Sequence, residues 1–152
     1  MEKIEIKPFK VIGIAVRTTN ENNQAIKDIG ALWDRFLKDG IHQAIPNKTD
    51  DTIYSIYTDY ESDHTRPYTT ILGCQVGTLD NIPQGMTGKL IDGGKYVKLS
   101  AVGNLSNGVV GDKWAEIWSM DLKRVFTSDF EVYGEKAKNP NQAEIDFFIA
   151  VK

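Results

Sequence analysis

The chain repeats itself, with one step in the register. Two apolar stripes recur at helical spacing: Ile26, Ile29, Trp33, Phe36 and Leu37 in one stretch, and Trp114, Ile117, Trp118, Leu122 and Val125 in another. At a shift of 85 residues Leu32-Trp33 falls on Ile117-Trp118 and Leu37-Lys38 on Leu122-Lys123. The same shift carries Lys10-Val11-Ile12 onto Lys95-Tyr96-Val97, Ile14 onto Leu99 and Ile6 onto Ile91, in stretches that alternate like strands. Downstream the shift becomes 76: Tyr54-Ser55-Ile56-Tyr57 falls on Phe130-Glu131-Val132-Tyr133, and Tyr68 to Cys74 on Glu144 to Ala150. A longer polar loop around His42 to Asp51 absorbs the difference.

Each half therefore predicts strand, helix, strand, strand. The helices are expected over about 24–38, stopped near Gly40, and over about 112–125, with Asp112 as N-cap. Two copies cannot form a solenoid, which needs more repeats to bury its core. The expectation is one α+β domain over residues 1–152, a tandem repeat of two β-α-β-β units (about 3–80 and 85–152). Its antiparallel sheet carries two long helices, with a groove between the halves. Gly77 to Gly88, containing Pro83, is the expected connector.

Charge narrows the partners. The net charge is -3 and the acidic and basic residues are interspersed, so the basic stripe of a duplex-binding surface is missing and no direct nucleic-acid contact is expected. No stretch approaches the ~20 apolar residues of a membrane span. The N-terminus alternates in polarity, unlike a signal peptide, so the cytoplasm is the expected compartment. The lone Cys74 lies in an apolar strand and reads as a packing residue.

Signatures for cofactors, metals or catalysis are sparse. Asp59, Glu61, Asp63 and His64 sit between two strands beside Pro67 and read as a solvated turn, so no metal site is expected. Gly93-Gly94 precedes a strand, where a dinucleotide fingerprint would open a helix. P-loop, serine-hydrolase and zinc-protease motifs are absent.

Strand parity selects the candidate site. Phe130 and Val132 share one face, expected under the second helix, while Glu131 and Tyr133 point the other way. Likewise Tyr54 and Ile56 are expected under the first helix, with Ser55 and Tyr57 opposite. A groove between the halves would gather Tyr57, Tyr133 and Tyr96 around one carboxylate, Glu131. Trp33 and Trp118 read as core residues or as pocket edges, since a buried indole N–H needs a partner. Aromatic faces with a carboxylate suit a flat, hydrophobic, often cationic molecule. The competing reading of these strand residues is an ordinary solvated face.

Asp129-Phe130-Glu131-Val132-Tyr133, followed by Glu144-Ile145-Asp146-Phe147-Phe148-Ile149-Ala150-Val151, resembles the closing hairpin of GyrI-like domains, and Gly93-Gly94-Lys95-Tyr96 resembles the glycine turn that opens that family's second repeat. With the repeated β-α-β-β plan, the resemblance covers essentially the whole chain. It implies an effector-binding domain whose pocket sets aromatic side chains around an acidic residue, here Glu131 with Tyr133 and, through the repeat, Tyr57. Regulators of the family carry a DNA-reading helix-turn-helix in the same chain; here the two repeats are expected to use all the residues. The resemblance thus implies a free-standing binder of small aromatic molecules. Its alternatives are a hydrolase of reactive cyclopropane-bearing aromatics, with Glu131 activating water, and an inhibitor of a protein partner such as gyrase. Oligomeric state is left open.

Overall fold

The computed structural model describes residues 2–152. Eight strands form one sheet: β1 (Lys3–Ile6), β2 (Phe9–Thr18), β3 (Ile53–Thr58), β4 (Tyr68–Val76), β5 (Thr87–Ile91), β6 (Gly94–Gly103), β7 (Ser128–Tyr133) and β8 (Ala143–Ala150). Every pairing is antiparallel, in the order β1-β6-β8-β7-β3-β4-β2-β5. Three α-helices join them: α1 (Gln24–Lys38), α2 (Ile41–Ala44) and α3 (Val109–Ser119). The result is an α+β fold on a curled half-barrel sheet.

The strand order reads the same from either end. β3 and β7 meet at the centre, with Ile56 opposite Phe130; β4 and β2 continue on one side, β8 and β6 on the other. Each half holds one strand more than expected. The leading segment divides at Pro8 in one half and at Gly93-Gly94 in the other, so Ile6 and Ile91 lie on short separate strands. These leading strands are exchanged: β1 pairs with β6 of the second half, and β5 with β2 of the first. Gly93 permits the turn, because a Cβ there would collide with the Ile6 carbonyl and the Pro8 ring. Gly13 and Gly73 face each other across β2 and β4, and a Cβ on either would run into the partner's backbone.

The first helix matches its expected bounds, but its buried side is rotated. Ala25, Leu32 and Phe36 are buried, whereas Ile26 and Leu37 are exposed. The second helix is shorter than expected. It starts after Gly108, placing Asp112 in its first turn, and it ends at Ser119. Lys123 and Phe126 then take left-handed backbone conformations, with φ of 57° each. The Val125 N–H donates to the Ala150 carbonyl and the Lys152 N–H to the Lys123 carbonyl. Tertiary pairing with the end of β8 thus overrides the helical period of Leu122 and Val125. The polar loop of the first half contains the α2 turn, which buries Ile41.

Both faces of the sheet are apolar, and this inverts one expectation. Helix α1 packs on β2 and β4, where Leu32, Phe36 and Ile41 meet Ile12, Ile14, Leu72, Cys74 and Val76. Helix α3 packs on β6, its Ile117 in a core with Val97, Ala101, Ile145, Phe147 and Ile149. Ile56 and Phe130 lie on the opposite face, in a core with Val11, Ile71, Ile91 and Tyr96 that the curling sheet and its leading strands enclose. Tyr54 and Val132 pack against this same core. Sharing of faces along each strand is as parity requires, but these residues do not lie under the helices. Apolarity did not single out the helical side, because sheet curvature buries the other side equally well. Among the described residues no helix is long and apolar enough to cross a membrane.

Candidate functional site

The helices leave a seam. With α1 centred over β2 and β4 and α3 over β6, the central pair β3–β7 lies between them and is reached only at their margins, by Ala25 and Trp33 from α1 and Trp114 from α3. A cavity of about 560 Å³ opens there, a volume suited to a drug-sized molecule. Tyr57 and Tyr68 line it from the sheet, Tyr60 and His64 from the β3–β4 connection, Ile26 and Ile29 from α1, and Trp114 and Trp118 from α3. Tyr57 meets Trp114 edge to face at 5.1 Å and Tyr68 at 6.0 Å. His64 stacks on Trp118 at 5.4 Å with the rings 5° from parallel.

Behind this wall lies Glu131, only 1% exposed. Its Oε2 accepts hydrogen bonds from the Tyr57 hydroxyl and the Trp114 Nε1–H, both at 2.5 Å, and its Oε1 accepts one from the Tyr133 hydroxyl at 2.6 Å. Burial pushes the carboxyl above the ordinary carboxylate range, while the three donors pull it back. Burial, followed by the charge of Glu131, holds the Tyr57 and Tyr133 phenols well above their usual range, so both stay protonated and donate. Among the described residues no basic side chain pairs with Glu131.

Asp129, two residues earlier and fully buried, is treated differently. Its Oδ2 accepts from Arg124 Nη2 at 2.7 Å and from the Tyr60 hydroxyl at 2.6 Å, and its Oδ1 from the Ala150 N–H at 2.8 Å. The Arg124 side chain is 6% exposed, lines the cavity and lies under the Phe126 ring, 4.3 Å from Cζ to the ring centroid. Among the described residues its Nε and Nη1 have no hydrogen-bond partner.

Tyr57 and Trp118 are therefore on the cavity wall, with Glu131 and Tyr133 one layer behind it. Trp33 is a step further, its ring edge to face with Tyr133 at 5.0 Å. Tyr96 is not at the site. It faces the other side of the sheet, packs on Phe130 at 5.5 Å and donates its hydroxyl to the Asp92 carbonyl at 3.2 Å. Its strand, β6, lies two strands from the seam, on the far side of β8. Sequence reasoning missed Trp114, Tyr60, Tyr68, His64 and Arg124. Trp114 was legible as a third indole needing a partner for its N–H; Arg124 was hidden by the helical period assigned to its segment. Among the described residues no cluster of His, Cys, Asp and Glu is gathered to hold a metal.

An aromatic cavity at the seam of a two-fold-like curled sheet defines the GyrI-like effector-binding class. The profile of Cass2, the integron-associated effector binding protein, matches residues 4–151, and the chain belongs to that family. Its relatives include YobU of Bacillus subtilis (strain 168), a candidate transcriptional regulator, 29% identical over 98% of this chain and 94% of YobU. The crystal structure of the integron cassette protein VCH_CASS2, from the mobile metagenome of Vibrio cholerae, is 36% identical with a TM-score of 0.76, covering 99% of this chain and 95% of that one. SAV2435, in a structure bound to tetraphenylphosphonium, shares the fold with a TM-score of 0.79 at 15% identity, over 99% and 93% of the two chains.

Proposed function

We propose that the chain is a receptor for aromatic, preferentially cationic, hydrophobic small molecules, held in the seam cavity against Tyr57, Tyr68, Trp114 and Trp118. The observation that carries this reading is the unequal treatment of two neighbouring carboxylates. Asp129 has a guanidinium partner, whereas Glu131 is buried with only neutral donors. A buried charge of that kind costs several kcal/mol, and a cation in the adjoining cavity offsets part of the cost. The carboxylate also polarises the Tyr57 and Trp114 rings through their donated hydrogen bonds, making their faces better cation acceptors. The ligand thus meets aromatic rings first and feels Glu131 through them.

The ligand named for SAV2435, an aromatic cation, agrees with this reading, as does the effector-binding description of the family. With both oxygens engaged, Glu131 is poorly placed to activate water, which favours holding over hydrolysis. Fluorescence titration with tetraphenylphosphonium tests the reading, since two of the chain's three tryptophans line the cavity. Saturable quenching, weakened in Glu131→Gln, is expected. Absence of saturable binding, or equal affinity for neutral triphenylphosphine, which carries no acceptor oxygen, would overturn it.

A further inference from the structure

The cavity has a second pole. Arg124 is more than nine-tenths buried, yet it spends a single N–H on Asp129 and leaves Nε and Nη1 without partners. Asp129 does not take them up: its Oδ2 accepts from Arg124 Nη2 and the Tyr60 hydroxyl, and its Oδ1 from the Ala150 N–H. Unmatched donors on a buried guanidinium are a standing cost, and they favour whatever acceptor can reach them. Arg124 forms part of the cavity wall, so such an acceptor can come from a molecule held there. His64, on the same wall, also has a buried Nδ1 without a partner. Burial and the nearby Arg124 charge lower its pKa, so the imidazole is neutral and does not neutralise an incoming oxygen.

The two poles share one side chain. Trp114 donates its Nε1–H to Glu131, and the Arg124 guanidinium stands 6.0 Å from the centre of the same indole. A molecule held against Trp114 therefore lies near both the Glu131 carboxylate behind the indole N–H and the Arg124 guanidinium beside the ring.

Resting on the receptor reading above, we propose that the preferred ligands are dipolar: an aromatic cation that also carries a carbonyl or carboxylate oxygen, which the free N–H groups of Arg124 bind. Rotation of the guanidinium about its Asp129 contact would bring Nε–H or an Nη1–H to that oxygen.

The test uses 1-methylquinolinium and its 4-carboxamide and 4-carboxylate derivatives, which share ring and cation and differ in the 4-substituent: hydrogen, a neutral amide, or an anionic carboxylate that makes the probe a zwitterion. Calorimetric titration of the full chain is expected to show the oxygen-bearing probes binding about tenfold tighter or more, the scale of a hydrogen bond to a charged group. A gain for both derivatives identifies any acceptor oxygen as sufficient, and a gain for the carboxylate alone assigns the site to anions. Arg124→Lys keeps a cation for Asp129 but loses the fixed fork, so it should abolish the gain, read within the variant as the ratio of derivative to parent affinity. As a readout on the unmodified protein, the carboxylate probe should shift one Nε–H signal among the chain's four arginines in nitrogen NMR. Equal affinity for all three probes, or a gain that survives in Arg124→Lys with no Nε–H shift, would overturn the proposal. If the parent fails to bind while the carboxylate binds through Arg124, the cation reading is overturned and the dipolar proposal falls with it, whereas parent binding without any gain overturns the dipolar proposal alone.

Discussion

Asp129 and Glu131 stand two residues apart on β7, point to the same side of the sheet, and differ in that Asp129 alone is paired with a cation. That difference gives each carboxylate its own experimental signature.

Glu131→Gln keeps the shape of the site and removes its charge. It should weaken a cationic aromatic ligand by about 1–3 kcal/mol, the scale of a charged hydrogen bond, and a neutral isostere much less. Calorimetry with the matched pair checks this, and equal losses would remove Glu131 from charge recognition.

The raised pKa of Glu131 predicts two opposite responses to acid. A carboxyl whose folded pKa lies above its unfolded value favours the folded state most when protonated. Its contribution to stability is present below the unfolded pKa and is lost as pH rises through the folded one. Between these values, wild type should gain stability over Glu131→Gln as pH falls, seen in paired urea titrations. Affinity for a cationic ligand should fall over the same window, because the carboxylate that attracts it is being neutralised.

Trp114→Phe keeps an aromatic wall but removes one of the three donors to Glu131. About 1–3 kcal/mol of stability should be lost at neutral pH, and less under acid conditions where the carboxyl is protonated. Urea unfolding at two pH values separates this effect from simple loss of packing.

Tyr96→Phe serves as the control on the other face. Only the hydroxyl bond to the Asp92 carbonyl disappears, costing about 0.5–1.5 kcal/mol, and ligand affinity should be unchanged. A weakened ligand would mean that the enclosed core beneath the sheet is coupled to the seam.

Much of this fold was legible because repetition doubles the signal. Trp33 over Trp118 and Tyr57 over Tyr133 set the register, and the motif around Glu131 pointed to the acidic residue, although parity was expected to turn it away from the helices and the structure puts it on their side. The hidden parts have physical causes. Tyr96 alternates like a site residue, yet sheet curl turns its face into a closed core. Val125 keeps helical time with Ile117, yet its backbone pairs with the end of β8. Arg124 and His64 lie on irregular segments, where neither period two nor period 3.6 says what a side chain meets.

The exchanged leading strands bear on how the molecule can come apart. β1 is hydrogen-bonded to the second half and β5 to the first, so a cut between β4 and β5 leaves each fragment holding a strand whose partner is on the other. The fragments interlock like clasped hands, each lending its leading strand to the sheet edge of the other. Loss of structure in one half unzips an edge of the other, so a molecule wedged at the seam steadies the entire chain against unfolding.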